Sequence, residues 1–176
     1  MVVTPAVGVP QEGVCAVARP VRLEAVLIGH DRRIALNPPA VLSCSTAAAI
    51  AAWIREDLVP LADATGSPLV SITVADSYSC RPRNRLAGAK PSAHGNGLAF
   101  DLGAMELADK RILTMQSDSL TPAARQLLKA SACERFGTVL GQGSDGYHED
   151  HLHVDLIPRR PGRAICQWTL PRDSKG

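Results

Sequence analysis

Ser92-Ala93-His94-Gly95-Asn96-Gly97-Leu98-Ala99-Phe100-Asp101-Leu102-Gly103 changes character halfway along. In its second half Leu98, Phe100 and Leu102 alternate with Ala99, Asp101 and Gly103, the two-residue period of a half-buried strand. Such a strand sends the apolar set into a core and turns Asp101 to the opposite face, where small residues at 99 and 103 leave space around the carboxylate. The glycine-rich first half is a loop that carries His94 to the start of the strand.

A second stretch follows the same rule. In His148-Glu149-Asp150-His151-Leu152-His153-Val154-Asp155, the apolar Leu152, Val154 and Leu156 alternate with His151, His153 and Asp155. A strand here presents both histidines and the aspartate on one face, with neighbours roughly 6.5 to 7 Å apart. Four of the five histidines fall in these two windows.

The chain has 176 residues, enough for one well-buried domain and too few for two. Its net charge is +2 with both signs interspersed, so no global field argues for nucleic acid or a membrane surface. Aromatics are only 3%, which leaves Val, Leu, Ile and Ala to build the core. No run approaches the roughly 18 to 20 apolar residues of a spanning helix, so a soluble monomer without a transmembrane segment is expected. The first twenty residues lack the regions of a signal peptide, the expectation for a mature product behind an added Met1.

Cys15, Cys44, Cys80, Cys133 and Cys166 have no zinc-knuckle spacing. They suit disulfides in an exported protein or buried hydrophobes in a cytosolic one; two bridges and one free thiol are expected, with the pairing open.

Residues 1–20 read as an extended arm, residues 21–168 as a single domain and residues 169–176 as a loose tail. Val21 to Ile28 and Arg33 to Leu36 read as a hairpin around Gly29-His30-Asp31-Arg32, stopped by Asn37-Pro38-Pro39 because proline cannot donate to a ladder. Ser45 or Thr46 caps a helix with Ile50, Ile54, Leu58 and Leu61 on its buried face, ended or kinked by Pro60. Val70, Ile72 and Val74 mark a strand, Arg81 to Arg85 a basic loop, and Ile112 to Met115 a further strand. Thr121-Pro122 starts a helix with Ala124, Leu128, Ala132 and Phe136 inward and Gly137 as its stop. Gly141-Gln142-Gly143-Ser144-Asp145-Gly146 matches a dinucleotide fingerprint literally. A strand pattern follows it instead of a helix, so it reads as a plain loop. An edge strand is expected near Cys166 to Trp168.

With the two alternating strands side by side, Asp101 and His153 face one cleft and His94 enters it from the preceding loop. Two imidazoles and a carboxylate suit a borderline divalent ion such as zinc, and three protein ligands leave a position open, as in catalytic sites. An open zinc lowers the pKa of its water to about 7 and polarises a carbonyl, so amide hydrolysis follows. His151, His148 and Asp150 are the candidates for general base. Arg81 or its neighbours can hold a substrate carboxylate or the developing oxyanion, although a solvated basic loop accounts for them equally well. A two-histidine, one-carboxylate iron oxygenase has the same ligand types. Its His-x-Asp spacing is absent, since seven positions separate His94 from Asp101.

Ser92, His94, Gly97, Ala99 and Asp101, followed by His151 and His153, form a signature that resembles zinc D-Ala-D-Ala carboxypeptidases and penicillin-insensitive murein endopeptidases. A wider similarity, from about Cys15 to Cys166 and including Ser77-Tyr78-Ser79-Cys80-Arg81-Pro82-Arg83-Asn84, resembles the extensin-like C-terminal domain of bacterial proteins. The resemblance implies His94, Asp101 and His153 as zinc ligands, with His151 and His148 assisting water activation and Arg81 as a further catalytic residue. It implies an α+β fold of the D-Ala-D-Ala carboxypeptidase type, also called Hedgehog/DD-peptidase-like, with a central antiparallel sheet and helices packed on one side. It also implies a periplasmic or otherwise exported bacterial metallopeptidase acting on D-amino-acid bonds in peptidoglycan stem peptides or cross-links. The carboxypeptidase branch has Glu three residues before the last ligand. Asp150 stands there in this chain, so the identity of the base stays open. A non-catalytic wall-binding or structural module that retains the zinc site is the alternative.

Overall fold

In a computed structural model of the chain, residues 1–29, 31–86, 88–116, 119–160 and 162–169 are described, Arg85 by its backbone alone. His30 of the expected turn and residues 170–176 of the expected tail lie outside the described residues. The strands are β1 (Val2–Pro5), β2 (Pro20–Ile28), β3 (Arg32–Ser43), β4 (Leu69–Asp76), β5 (Ala99–Leu107), β6 (Ile112–Thr114), β7 (Thr138–Leu140), β8 (Leu152–Asp155) and β9 (Ile165–Gln167). They form a nine-stranded sheet in the order β1-β2-β3-β4-β5-β8-β7-β9, with β6 pairing on β5. The architecture is therefore mixed α/β around a large open sheet.

The sheet is not purely antiparallel as expected: β3–β4 and β7–β9 run parallel. The first pair follows from its connection, because a helical crossover between β3 and β4 returns the chain in the same direction. Within residues 1–20, Val2–Pro5 pairs with β2 as the sheet's outer strand, and Cys15 is bonded to Cys80. The expected proline stop does not end β3. Leu23 pairs with Ala40 and Ala25 with Ala35, so residues 36–39 bulge opposite Glu24 and no ladder bond to β2 is asked of either proline.

Helix α1 (Cys44–Trp53) is capped by Ser43, whose side chain accepts the Thr46 N–H. A π turn over Ile54–Leu58 joins it to α2 (Val59–Asp63). Pro60 therefore does not end the helical path, although the regular α-helical ladder gives way to the π turn just before it. It sits in the first turn of α2, where its missing N–H is tolerated. Helix α3 (Pro122–Arg135) starts at the Thr121 cap, whose side chain accepts the Ala124 N–H.

Helix α1 packs on β2 and β3, α3 packs on β7, and the two helices touch each other. The Trp53 and Phe136 rings meet edge to face at 5.3 Å, and Trp53 Nε1 donates to Ser131 Oγ at 3.1 Å. Phe100, Leu102, Leu152 and Val154 belong to the core beneath these helices. Strand alternation then turns Asp101 and His153 to the other face of the sheet. Among the described residues no helix is long and apolar enough to cross a membrane.

Candidate metal centre

Strands β5 and β8 pair antiparallel with Asp101 directly opposite His153. His153 Nδ1 lies 2.7 Å from Asp101 Oδ1, and His94 Nε2 lies 3.3 Å from Asp101 Oδ2 and 3.2 Å from His153 Nδ1. One donor atom from each residue falls within 4.8 Å of the other two, a set that can hold a metal ion. The three are 2%, 2% and 6% exposed for His94, Asp101 and His153, so the donors converge out of bulk water.

His94 stands on a single 3-10 turn, Ala93–Asn96, whose preceding Ser92 accepts the His94 N–H at 3.4 Å. Gly97 closes the turn at φ +63, and a Cβ there would meet Val17 Cγ1 at 2.7 Å and the Ser43 nitrogen at 2.8 Å. Only glycine fits both the backbone conformation and the close approach of β3. His94 Nδ1 donates to the Ser77 carbonyl at 2.6 Å; a carbonyl only accepts, so the ring proton is held there and Nε2 faces the cluster with its lone pair free.

His153 is set in a similar way, with Nε2 3.5 Å from Asp155 Oδ2. Burial disfavours its imidazolium, but the contacts with Asp101 and Asp155 prevail and lift its pKa to about 9 in the metal-free chain. For Asp101, burial opposes ionisation, yet the hydrogen bond from the His153 ring holds its carboxyl well below the usual range. A buried carboxylate bonded to a protonated imidazole, with further imidazole lone pairs turned toward it, is a site ready to exchange a proton for a metal ion.

His151 and His148 flank the cluster. His151 Nδ1 donates to Asp150 Oδ1 at 2.7 Å, and its Nε2 lies 3.4 Å from Asp101 Oδ2. His148 Nδ1 donates to Asp145 Oδ1 at 2.7 Å, and burial pulls the pKa of His148 down against that contact. Asp150 is held ionised below the usual range by its bond with His151. Arg81 lines the same region, but its Nη2 is paired with Asp76 Oδ2 at 3.0 Å. Two cavities border the cluster. One of about 690 Å³ is walled by Asp101, His151, Tyr147 and Arg81; one of about 260 Å³ is walled by His94, His153 and Asp155, and both share Arg81, Asn84 and His148.

The sequence reading did not single out Asp145, Asp76 or the Ser77 carbonyl. An aspartate three residues before His148 was a readable signal for the first. The carbonyl left none, because every residue has one. Cys15–Cys80 and Cys133–Cys166 form disulfides, each with Cα atoms 5.6 Å apart, and Cys44 is free, as the expected two bridges and one thiol require. Two disulfides are compatible with an exported protein.

No curated protein and no solved structure matches the chain. The family model described as extensin-like protein C-terminus matches residues 1–167, and the chain belongs to that family.

Proposed function

We propose that this chain is a zinc-dependent metallopeptidase of the D-Ala-D-Ala carboxypeptidase fold type, hydrolysing amide bonds that involve D-amino acids in peptidoglycan stem peptides or cross-links, in a bacterial periplasm. The observation that carries the proposal is the convergence of His94, Asp101 and His153, with two further carboxylate-held histidines beside a cavity. His94 Nε2, an Asp101 oxygen and His153 Nδ1 would hold the ion. Zinc in that position supplies Lewis-acid chemistry, acidifying a water and polarising a carbonyl.

The chain's own residues do the rest. Asp150 fixes the Nδ1–H tautomer of His151 and leaves its Nε2 free to take a proton from the attacking water, which makes His151 the general base and Asp150 its positioning residue. His148, kept neutral by burial and with its one N–H held by Asp145, presents an unprotonated Nε2, a second acceptor able to assist water activation. Arg81, tethered by Asp76, contributes positive charge to the same wall.

The test is incubation of zinc-loaded protein with muropeptides, with chelator and with zinc restored. Cleavage that chelator abolishes and zinc restores supports the proposal; cleavage indifferent to chelator, or none in protein shown to carry zinc, sinks it. The engagement of Arg81 by Asp76 favours a second reading, a wall-binding or structural module that keeps the ion for stability. Under that reading His151→Ala preserves the cellular role, whereas the peptidase reading requires its loss with metal and fold intact.

A further inference from the structure

The smaller cavity contains two arginines that the proposed chemistry does not use. Arg159, just after β8, sends its Nη2 to Thr138 Oγ1 on β7 at 2.5 Å. Its stem runs across Gly137, where a Cβ would come within 3.3 Å of Arg159 Cγ and 2.6 Å of the Ile157 carbonyl. The guanidinium is thus held in place by a glycine that clears its path and a threonine that anchors one end. Its Nε is buried without a hydrogen-bond partner among the described residues. An unmet buried donor on a permanently charged group is costly, and an anionic ligand relieves it.

Arg83 lines the same cavity, and among the described residues neither arginine forms a salt bridge. The acids nearby are already engaged. Asp145 Oδ1 accepts from His148 and from the Tyr147 N–H at 3.0 Å, and Asp155 Oδ1 accepts the Ile157 N–H at 3.0 Å while Oδ2 faces His153. Arg81 lines this cavity too and its Nε is likewise without a partner, but its charge is paired with Asp76. The free positive charge of the cleft therefore belongs to the smaller cavity.

We infer that Arg159 and Arg83 form a carboxylate subsite in the cavity lined by His94 and His153, and that it selects peptides carrying a free carboxylate beside the bond presented to the metal cluster. The planar guanidinium fork suits a carboxylate, and about 260 Å³ admits one small residue. The inference rests on the peptidase reading for the identity of the ligand as a peptide; the anion site itself stands on the arginines.

The experiment is calorimetric binding of an N-acetylated tripeptide ending in D-alanine, as the free acid and as the carboxamide, to the full chain with and without zinc. Wild type is expected to prefer the acid by about tenfold in both metal states. Arg83→Ala, at an exposed position, and Arg159→Ala should each erode that preference. Arg159→Lys, which keeps the charge and loses the fork, should retain part of it even where the alanine variant is poorly folded. A preference absent from wild type, unchanged in both arginine variants, abolished instead by Arg81→Ala, or present only with zinc overturns the subsite. The acid preference without hydrolysis of either peptide by the zinc-loaded chain sinks the peptidase reading and leaves the subsite standing.

Discussion

Asp101 and His153 stand directly opposite each other on β5 and β8, 2.7 Å apart although 52 positions separate them in sequence. Backbone pairing alone fixes their spacing, so the two donors are organised before any ion arrives. Removing either should abolish metal binding without unfolding a sheet whose ladder bonds are all backbone. After equilibration with zinc and desalting, wild type is expected to keep about one ion per chain and Asp101→Asn or His153→Ala about a tenth of that or less. Elemental analysis beside circular dichroism checks it, and full zinc occupancy in either variant contradicts the ligand assignment.

Asp155 touches the far nitrogen of His153 and lies outside the donor set of His94, Asp101 and His153. Partners of this kind orient a ligand ring and raise its basicity, and their loss costs roughly 10- to 100-fold in metal affinity. Asp155→Asn should show a loss of that size in competition with a chromogenic chelator. An unchanged affinity would mean that Asp155 serves only the Ile157 N–H turn that it also makes.

His151 Nε2 points at the cluster while Nδ1 is held by an exposed aspartate. As a general base His151 is worth about 10²- to 10⁴-fold in rate, so His151→Ala should lose that much in kcat with zinc content unchanged. Asp150→Asn should cost less and shift the acid limb of the pH–rate profile. Equal losses of zinc and activity in His151→Ala would instead make His151 a ligand.

How much of this was legible beforehand depends on whether the determinant was periodic. Alternation at 98–103 and 152–156 announced β5 and β8, and with them the shared face of Asp101 and His153. The cap and every-fourth-residue pattern announced α3. Strand β7, Thr138–Leu140, was missed: it follows Gly137, read only as the stop of α3, and runs directly into the glycine-rich loop from Gly141. The path of β3 past Asn37-Pro38-Pro39 was missed because the bulge that frees those prolines depends on Leu23 and Ala25 in another strand. The partners of the site histidines divide the same way: Asp150 sits beside its histidine in sequence, whereas the Ser77 carbonyl reaches His94 only through the tertiary fold.

In the metal-free chain His153 titrates at about 9 instead of 6.5, and Asp101 well below 3.8. A raised histidine contributes stability that is complete below its unfolded pKa and disappears as pH rises through the folded one. A depressed carboxyl contributes stability above its unfolded pKa that disappears as pH falls. The pair thus supports the metal-free fold most fully between roughly pH 4 and 6.5. Raising the pH from 6.5 to 9.5 should lower the melting temperature of the chelator-treated protein by about 5 °C more than that of His153→Gln. Zinc competes with the same proton, so the zinc-loaded protein should not share the decline. A metal-free wild type that tracks the glutamine variant across this range argues against a buried ion pair.

The two disulfides occupy different places relative to the site, and that difference is testable. Cys80 lies three residues after Ser77 and next to Arg81, and its partner segment is tied further to the site by Tyr78 Oη donating to the Cys15 carbonyl at 3.3 Å and Asn96 Nδ2 donating to the Val14 and Ala16 carbonyls at 3.1 Å. Cys133–Cys166 instead joins α3 to β9, the edge strand beyond β7, and among the described residues is tied to none of the segments that carry His94. Their loops span 65 and 33 residues, so chain entropy predicts similar losses on removal, about 2 to 4 kcal/mol for each. Metal affinity should separate them. The Cys15→Ser/Cys80→Ser variant frees the backbone that fixes the His94 tautomer and should bind zinc at least about tenfold more weakly, as expected for a lost outer partner. Cys133→Ser/Cys166→Ser should bind as wild type does at a temperature where both are folded. Equal affinities in the two variants would show that the β-sheet holds His94 without help from the N-terminal strap.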